Sequence, residues 1–326
     1  MSFERYRQIL SPTAVQSPGS CEGLDTPHEY RAFLEAMQRP LPRVVWANPI
    51  GRSPEALAAI GAEVVRLCPE AQPVAWRPHT WRLPPDVKPG RWWAWMVGDV
   101  HGHEEASILA ADLVGAQPGE RILDLCAAPG GKTAVLAAAM NDQGLLVAND
   151  RKAGRLAPLR RTLDRLGVTC AAVSCMAGAY FPGIAAGETR PEGYDRVLVD
   201  VPCTCEGNRP QCDPTDPAAT EAYRRTIGPI QRSLLRRALQ LVRPGGRVVY
   251  ATCTFAPEEN EEVVNAASGF VVEPVSVPGL HLSPGLTEWA GRRLRPDLVN
   301  AVRLWPHHND TGGFFVAVLR RDGAHP

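Results

Sequence analysis

The sequence predicts an α/β protein: a doubly wound, mostly parallel sheet with a small α+β module at its N-terminal end. Three observations carry this prediction. From about residue 103 onward, short apolar runs alternate with helical stretches, the pattern of a layered domain on parallel strands. A Gly-rich turn, "AAPGGKT" at 127–133, joins the apolar run "RILDLC" to the helical "AVLAAAM". A strand, a Gly turn and a helix form the mouth at which doubly wound sheets bind ligands. Asp150 follows that turn by about 20 residues, at the end of the next apolar run, where an acidic residue can accept hydrogen bonds from ribose hydroxyls.

The elements follow in chain order. Residues 1–85 read as a separate small unit with two amphipathic helices, "HEYRAFLEAMQ" and "SPEALAAIGAEVVRLC". Ser53 is placed to cap the second, and Pro54 suits its first turn. The Pro/Gly/Trp stretch "PPDVKPGRWWAWMVGD" reads as a connection, giving a linker at 86–102 and a main domain at 103–326. Strands are expected at "RILDLC", "GLLVAND", "CAAVSC", "DRVLVD", "GRVVYATC" and "FFVAVLRR". Between them, "GKTAVLAAAM", "RLAPLRRTLDRLG", "DPAATEAYRRTIGPIQRSLLRRALQLV" and "PEENEEVVNAAS" are expected as helices. Asp150, Asp200 and Cys253 end three of the strands and should line one edge of the sheet.

Bulk properties narrow the class. The chain has 326 residues, 44% hydrophobic, with a formal net charge of zero, so no global charge advertises nucleic acid; a local basic stripe still could bind it. The start, "MSFERYRQIL", lacks the apolar core of a signal peptide, and no run approaches a membrane span. Nine cysteines without an export signal fit reduced thiols and a cytoplasmic protein. Neither a membrane nor a metal is expected.

Gly131-Lys132-Thr133 has the look of a phosphate-binding loop, but the spacing fails. The first Gly of that motif would fall at Cys126, and Pro129 removes an N–H donor from the cradle. Asp150 is read as a ribose ligand, with a helix N-cap as the alternative. Cys203, in the turn after Asp200, and Cys253, at the next strand end, form an unusual pair. Zinc held by Cys203, Cys205 and Cys212 with His101, His103, His307 or His308 is disfavoured, because no paired C-x-x-C is present. Plain buried cysteine suits Cys68 or Cys170 better than a Cys inside a Pro-Cys turn.

"LDLCAAPGGKT", "VANDRKAGRLAPLRRTLDRLG", "VLVDVPCTCEG", "VRPGGRVVYATCTFAPEENEEVV" and "LWPHHNDTGGFFVAVL" together resemble the Nop/Sun (Fmu) family of RNA cytosine-5 methyltransferases. "AMQRPLPRVVWANPIGRSPEAL" is similar to that family's small N-terminal module. The resemblance implies a Rossmann-like class I methyltransferase domain that uses S-adenosylmethionine. It assigns cofactor contacts to Cys126, Ala127, Ala128, Pro129, Gly130, Gly131, Lys132, Asp150, Arg155 and Asp200. It makes Cys253 the nucleophile that adds to carbon 6 of cytosine, Cys203 the group that assists product release, and Asp200 the contact to ring nitrogen 3 and the exocyclic amine. The partner implied is RNA, ribosomal RNA ahead of transfer RNA, with the target base unstacked and the enzyme a monomer. Family members with extra RNA-binding domains carry them as extensions, and none is expected after residue 321.

Some positions depart from the family pattern. Ala177 stands where an Asp usually meets the adenine amine, Trp46 replaces an Arg two residues before Asn48, and Cys205 occupies a place usually taken by a small residue. The basic cluster Arg151, Lys152, Arg155, Arg160, Arg161 and Arg165 reads first as a solvated helix face. Trp92, Trp93 and Trp95 read first as packing between domains, with base stacking as the alternative. Two other functions stay open: a non-catalytic RNA-binding assembly factor, and a small-molecule methyltransferase, which would not need two cysteines.

Overall fold

The computed structural model describes residue 6, residues 9–10, 26–183, 193–209 and 221–323. Cys212 and the first residues of the long helix expected from 213 lie outside these.

The N-terminal part begins with α1 (Thr26–Gln38), then β1 (Arg43–Ala47) and α2 (Pro54–Leu67). Ser53 Oγ accepts from the Ala56 N–H at 3.3 Å and Pro54 occupies the first turn of α2, as its sequence predicts. β2 (Gln72–Pro73), β3 (Thr80–Leu83), α3 (Trp93–Met96) and β4 (Val100–Gly102) follow. The four strands form an antiparallel sheet in the order β2-β3-β1-β4. The stretch 86–102 is therefore not a linker. It closes the N-terminal sheet, with Trp46 opposite His101 in the register of β1 and β4.

The main domain runs α4 (Glu105–Asp112), β5 (Arg121–Asp124), α5 (Gly131–Ala139), β6 (Leu145–Asn149), α6 (Ala153–Arg165), β7 (Ala171–Ser174), β8 (Tyr194–Asp200), α7 (Glu221–Leu241) and β9 (Val242–Thr252). It continues through α8 (Glu261–Asn265), β10 (Phe270–Val272), β11 (Ser283–Pro284), β12 (Glu288–Trp289), β13 (Arg292–Arg293), β14 (Val302–Leu304), α9 (Pro306–Asn309) and β15 (Phe314–Arg321). The sheet order is β11-β14-β15-β9-β8-β5-β6-β7, with β10 on β15. Strands β7, β6, β5, β8 and β9 are parallel, and β15, β14, β11 and β10 add antiparallel pairs. This is the Rossmann-like class I arrangement. Chain order reverses at β5, flanked by β6 and β8, and that switch point is where such a sheet receives its ligand.

Two apolar clusters cover the two faces of this sheet, one around Leu136, Leu159 and Val249, the other around Leu235, Val197 and Phe315. Burial on both faces explains why the central strands are near-continuous Val, Leu and Ile. A third cluster fills the N-terminal sheet around Val45, Val64 and Trp81. α1 joins none of these. Phe33 packs edge-on to Phe255 at 5.3 Å and Trp305 at 5.8 Å, so this helix lies on the main domain.

Arg165, at the end of α6, ties the two parts together. It donates to the carbonyl of Val100 at 3.1 Å and to His101 Nδ1 at 2.6 Å, and its guanidinium stacks on Trp95 at 4.5 Å. Asn48 adds a bond from Nδ2 to the Leu166 carbonyl at 2.9 Å. Among the described residues no helix is long and apolar enough to cross a membrane.

Candidate active site

The site is built on the ends of the parallel strands. After β5 the chain turns through Cys126–Gly130 into α5. Gly130 has φ +104°, and a Cβ there would fall 2.8 Å from Leu159 Cδ1, so only glycine lets the turn sit this close to α6. A Cβ on Gly131 would meet His103 at 2.7 Å. Lys132 leaves this turn and pairs with Asp200 Oδ2 at 2.7 Å, with Phe314 under its ammonium. Burial pulls the lysine toward neutrality, but the charge and hydrogen bond of Asp200 outweigh it, and the net shift is upward. The ammonium therefore stays charged beside the carboxylate.

Asp150 lies just past β6, buried, and does two jobs. Oδ1 accepts the Lys152 N–H at 2.8 Å, and Oδ2 pairs with Arg155 at 3.1 Å. The N-cap alternative weighed for it does not hold: α6 starts at Ala153 with Lys152 as its N-cap, and no side chain caps it. Arg155 also donates to the Ala128 carbonyl, binding α6 to the Gly turn. Asp124, at the end of β5, is buried; one oxygen accepts from Thr133 Oγ1 at 2.7 Å and the other has no partner. Burial pushes its carboxyl up to about 7. Burial first, then the charges of Asp124, Asp200 and Asp150, drive the Cys126 thiol well up. Cys126 is therefore an inert thiol with three acids around it, two of which are paired with Lys132 and Arg155.

Cys203 follows β8 and Cys253 follows β9. Their sulfurs are 3.4 Å apart. Two networks fix this approach. Glu259, buried, accepts the Thr204 N–H at 3.0 Å, Thr204 Oγ1 at 2.6 Å and Gln231 Nε2 at 2.8 Å. Glu206, also buried, takes Arg224, the Tyr6 hydroxyl and Thr254 Oγ1. Asn260 accepts from Thr252 Oγ1 at 2.6 Å and donates to the Thr254 carbonyl at 2.9 Å. Hydrogen bonds to Cys205 and Cys253, then burial, push the Cys203 thiol far up. For Cys253 the bond from Cys203 acts downward, but the bond to Cys205 and burial outweigh it. Cys205 is held below its ordinary range by hydrogen bonds from Cys203 and Cys253.

The structure thus brings together Cys203, Cys253, Asp200 and Lys132, and places the Gly turn, Asp150 and Arg155 beside them. It does not bring the four histidines to the cysteines. His101 sits against Arg165, His103 against Ser107, and His307 and His308 converge on Glu29. Instead Cys205 joins Cys203 and Cys253. Ala177 is exposed and precedes a short 3-10 turn at Gly178–Tyr180. Trp46 is buried, with the Arg77 guanidinium over its ring at 5.4 Å. The tryptophans divide: Trp95 packs between the two parts, whereas Trp93 is 75% exposed. Arg165 departs from the solvated-face reading of its cluster. The acids Glu206, Glu259 and Glu261 escaped the sequence reading; the signal for Glu259 and Glu261 was the acidic run after the Thr-Cys turn, and Glu206, alone after Cys205, had none.

The family model described as 16S rRNA methyltransferase RsmB/F matches residues 111–320. This chain belongs to that family. It is 32% identical over 312 residues to the tRNA (cytosine(49)-C(5))-methyltransferase of Pyrococcus abyssi, covering 91% of this chain and 93% of that relative. It is also 32% identical to ribosomal RNA small subunit methyltransferase F of Vibrio vulnificus, over 89% of this chain and 60% of the relative. A 36% match to the 26S rRNA (cytosine-C(5))-methyltransferase of Caenorhabditis elegans spans 66% of this chain and 32% of that protein. The chain therefore spans nearly the whole Pyrococcus relative but less than two thirds of the other two. A methyltransferase homolog protein from Pyrococcus horikoshii has the same fold, with a TM-score of 0.74, 28% identity and coverage of 92% and 96%. NSun6 from the same organism, solved with SFG, superposes with a TM-score of 0.75 at 19% identity and shows the shared fold alone.

RsmB/F family members are S-adenosylmethionine-dependent. The mouth fits that cofactor: Lys132, Asp150 and Asp200 offer charged groups of both signs beside the Gly turn, and Asp124 carries a buried oxygen without a partner.

Proposed function

We propose that this chain methylates carbon 5 of a cytosine in RNA, with ribosomal RNA as the substrate class. The observation that carries the reading is the 3.4 Å approach of Cys203 and Cys253 from adjacent strand ends, next to the Lys132–Asp200 pair. When bound, S-adenosylmethionine supplies an electrophilic methyl group. The remaining work falls to the chain. Carbon 5 of cytosine is a poor nucleophile until a thiolate adds to carbon 6. Cys253 Sγ makes that bond once its thiol proton has left to solvent, and ring nitrogen 3 takes up a proton as the bond forms. Asp200, held by Lys132, faces the ring nitrogen and exocyclic amine and stabilises the protonated base. Cys203 assists removal of the carbon 5 proton, and expulsion of Cys253 then releases the product. The Gly turn and Lys132 hold the amino-acid end of the cofactor, and Asp150 its ribose. The N-terminal sheet provides RNA contacts.

The test uses denaturing gels and RNA carrying a substrate cytosine. Cys253→Ala abolishes both methylation and adduct. Cys203→Ala leaves attack and transfer but slows release, so a protein–RNA adduct accumulates. The reverse pattern would exchange the two roles, and an unmodified enzyme that never methylates RNA would favour the assembly-factor reading. Transfer RNA is the second reading, because the Pyrococcus abyssi relative matched almost end to end carries that activity in its name. Methylation of purified ribosomal subunits against purified transfer RNA separates the two.

A further inference from the structure

We propose that Cys203, Cys205 and Cys253 form a thiolate site for a soft divalent cation, zinc above all, and that the ion reversibly closes the active site. The geometry of the site stands by itself; only its inhibitory consequence rests on the function proposed above.

Two reacting thiols account for Cys203 and Cys253. They do not account for a third. The sulfur of Cys205 lies 3.9 Å from that of Cys203, whose own distance to Cys253 is 3.4 Å, and all three fall within 4.8 Å of one another. A tetrahedral zinc site with Zn–S bonds of about 2.3 Å separates its sulfurs by about 3.8 Å. The three sulfurs therefore already outline one face of such a tetrahedron, and small side-chain rotations centre an ion on it. The fourth position stays open to water, as in zinc sites with three protein ligands.

The backbone holds Cys205 there. Its φ is +56°, a region that residues with a Cβ seldom adopt. The turn is also pinned from outside. The Gly207 N–H donates to the Cys253 carbonyl at 2.9 Å, and the Gly207 carbonyl accepts from Gly313 N–H at 2.8 Å. A Cβ on Gly207 would fall 2.1 Å from the Gly313 oxygen, so the two chains touch with no room to slide. Cys203 is buried, while Cys205 and Cys253 are partly exposed, which gives an ion its approach. On binding, each thiol gives its proton to solvent and no electrons move. An ion on Cys253 Sγ occupies the electron pair that attacks cytosine, so metal binding and catalysis exclude each other.

The test is a titration of the reduced full-length protein with Cd2+, followed by thiolate-to-metal charge-transfer absorption, with Zn2+ as competitor. The expected result is one ion per chain with the intensity of three thiolates. Cys205→Ser should bind roughly 100-fold more weakly, since structural-zinc affinity shared among four ligands gives about that factor per thiolate. Inhibition by buffered Zn2+, read as a fraction of each protein's own metal-free methylation rate, should weaken by the same factor, while affinity for S-adenosylmethionine is kept. Cys205→Gly, suited to the left-handed backbone, serves if the serine variant folds poorly. Absorption from two thiolates or fewer in the unmodified protein, or an unchanged affinity in the Cys205 variant, would overturn the proposal. A three-thiolate band in a protein that never methylates RNA would leave the metal site standing and defeat the proposed function instead.

Discussion

Glu259→Leu removes the acceptor that ties the two cysteine loops together, and its cost follows from the hydrogen bonds it strands. Glu259 is fully buried and accepts from the Thr204 N–H, Thr204 Oγ1 and Gln231 Nε2. Thr204 Oγ1 can turn to Thr254 Oγ1 and Gln231 Nε2 keeps the Pro202 carbonyl for one of its hydrogens, so two N–H groups are stranded; at about 1–3 kcal/mol each, the leucine variant should lose about 2–6 kcal/mol. A domain has about 5–15 kcal/mol in total, which puts this variant near the unfolding threshold. Glu259→Gln is the informative control. The new amide oxygen takes the Thr204 and Gln231 N–H groups, and the amide NH2 donates to Thr204 Oγ1. That hydroxyl then donates to Thr254 Oγ1, 2.7 Å away, and Thr254 donates to Glu206 at 3.1 Å. Only the second amide N–H is left without a named partner, and burial already disfavours the charge of Glu259 by raising its pKa. The glutamine variant should lose about 1–3 kcal/mol, less than the leucine one. Urea midpoints at constant m-value measure both. A leucine variant within about 1 kcal/mol of the parent refutes the reasoning. A glutamine variant as damaged as the leucine one shows that charge, not hydrogen-bond count, holds the loops.

The pH dependence of stability has two opposed parts, both measured without cofactor. Burial, then the Arg165 charge, lowers the His101 pKa from 6.5 to about 4, so its contribution is full above 6.5 and is lost as pH falls toward 4. That is about 2 kcal/mol between pH 7 and pH 5, and His101→Phe should lack it. Asp124 is raised from 3.8 to about 7, so the folded state holds its proton longer and stability falls as pH rises from about 4 to 7. Asp124→Asn keeps an acceptor for Thr133 and should gain about 2 kcal/mol on the parent between pH 5 and pH 7. Other buried groups titrate in the same window, so the readout is the difference from the unmodified protein: the pH 5-to-7 change in stability falls for His101→Phe and rises for Asp124→Asn, and shifts of the same sign defeat the argument. Ala177→Asp should tighten S-adenosylmethionine binding by roughly the 10-fold that one hydrogen bond supplies. Because Ala177 also caps the 3-10 turn at Gly178–Tyr180, an aspartate there could stabilise the cofactor-free protein as well. Calorimetric affinity and cofactor-free melting separate the two effects, and equal or weaker binding means that Ala177 does not face the adenine.

The six strands read from the sequence are β5, β6, β8, β9 and β15, whose burial on both faces forces continuous apolar runs, and the edge strand β7, which has no fully buried residue. The same logic hides other elements. α4 is buried from Glu105 to Ala111, so it has no polar face to make a period visible. β10, β11 and β14 have two or three residues each, too few for a pattern. β4 is defined by pairing with β1 across more than fifty residues, and the Pro, Gly and Trp of the stretch before it suggested a connection. The site was legible where chemistry fixes residue type, at Cys203, Cys253, Asp200 and the Gly turn. It was not legible where a common residue acquires its role from a distant partner. Arg165 belongs to a basic helix in sequence, but Trp95, Val100 and His101 recruit it inward.

The buried acids around the cysteines are the clearest case of such recruitment. Glu206 pairs with Arg224 and Glu261 with Arg303, all buried, and Glu259 has no cationic partner among its bonds. Stability alone does not explain these groups, since well-packed apolar residues serve a core as well or better. Their oxygens have another use. Glu259 holds the loop of Cys203 through Thr204; Glu206 bonds to Thr254, beside Cys253; and Arg303, held by Glu261, donates to the Phe255 carbonyl at 3.0 Å. Each bond has a direction and a length, which apolar contact lacks. Two loops from different strands must present two sulfurs to the same base, and directional bonds specify that spacing where packing would leave it loose. The run "PEENEE" therefore follows the Thr-Cys turn for a geometric reason: it supplies the acceptors that keep Cys253 in register with Cys203.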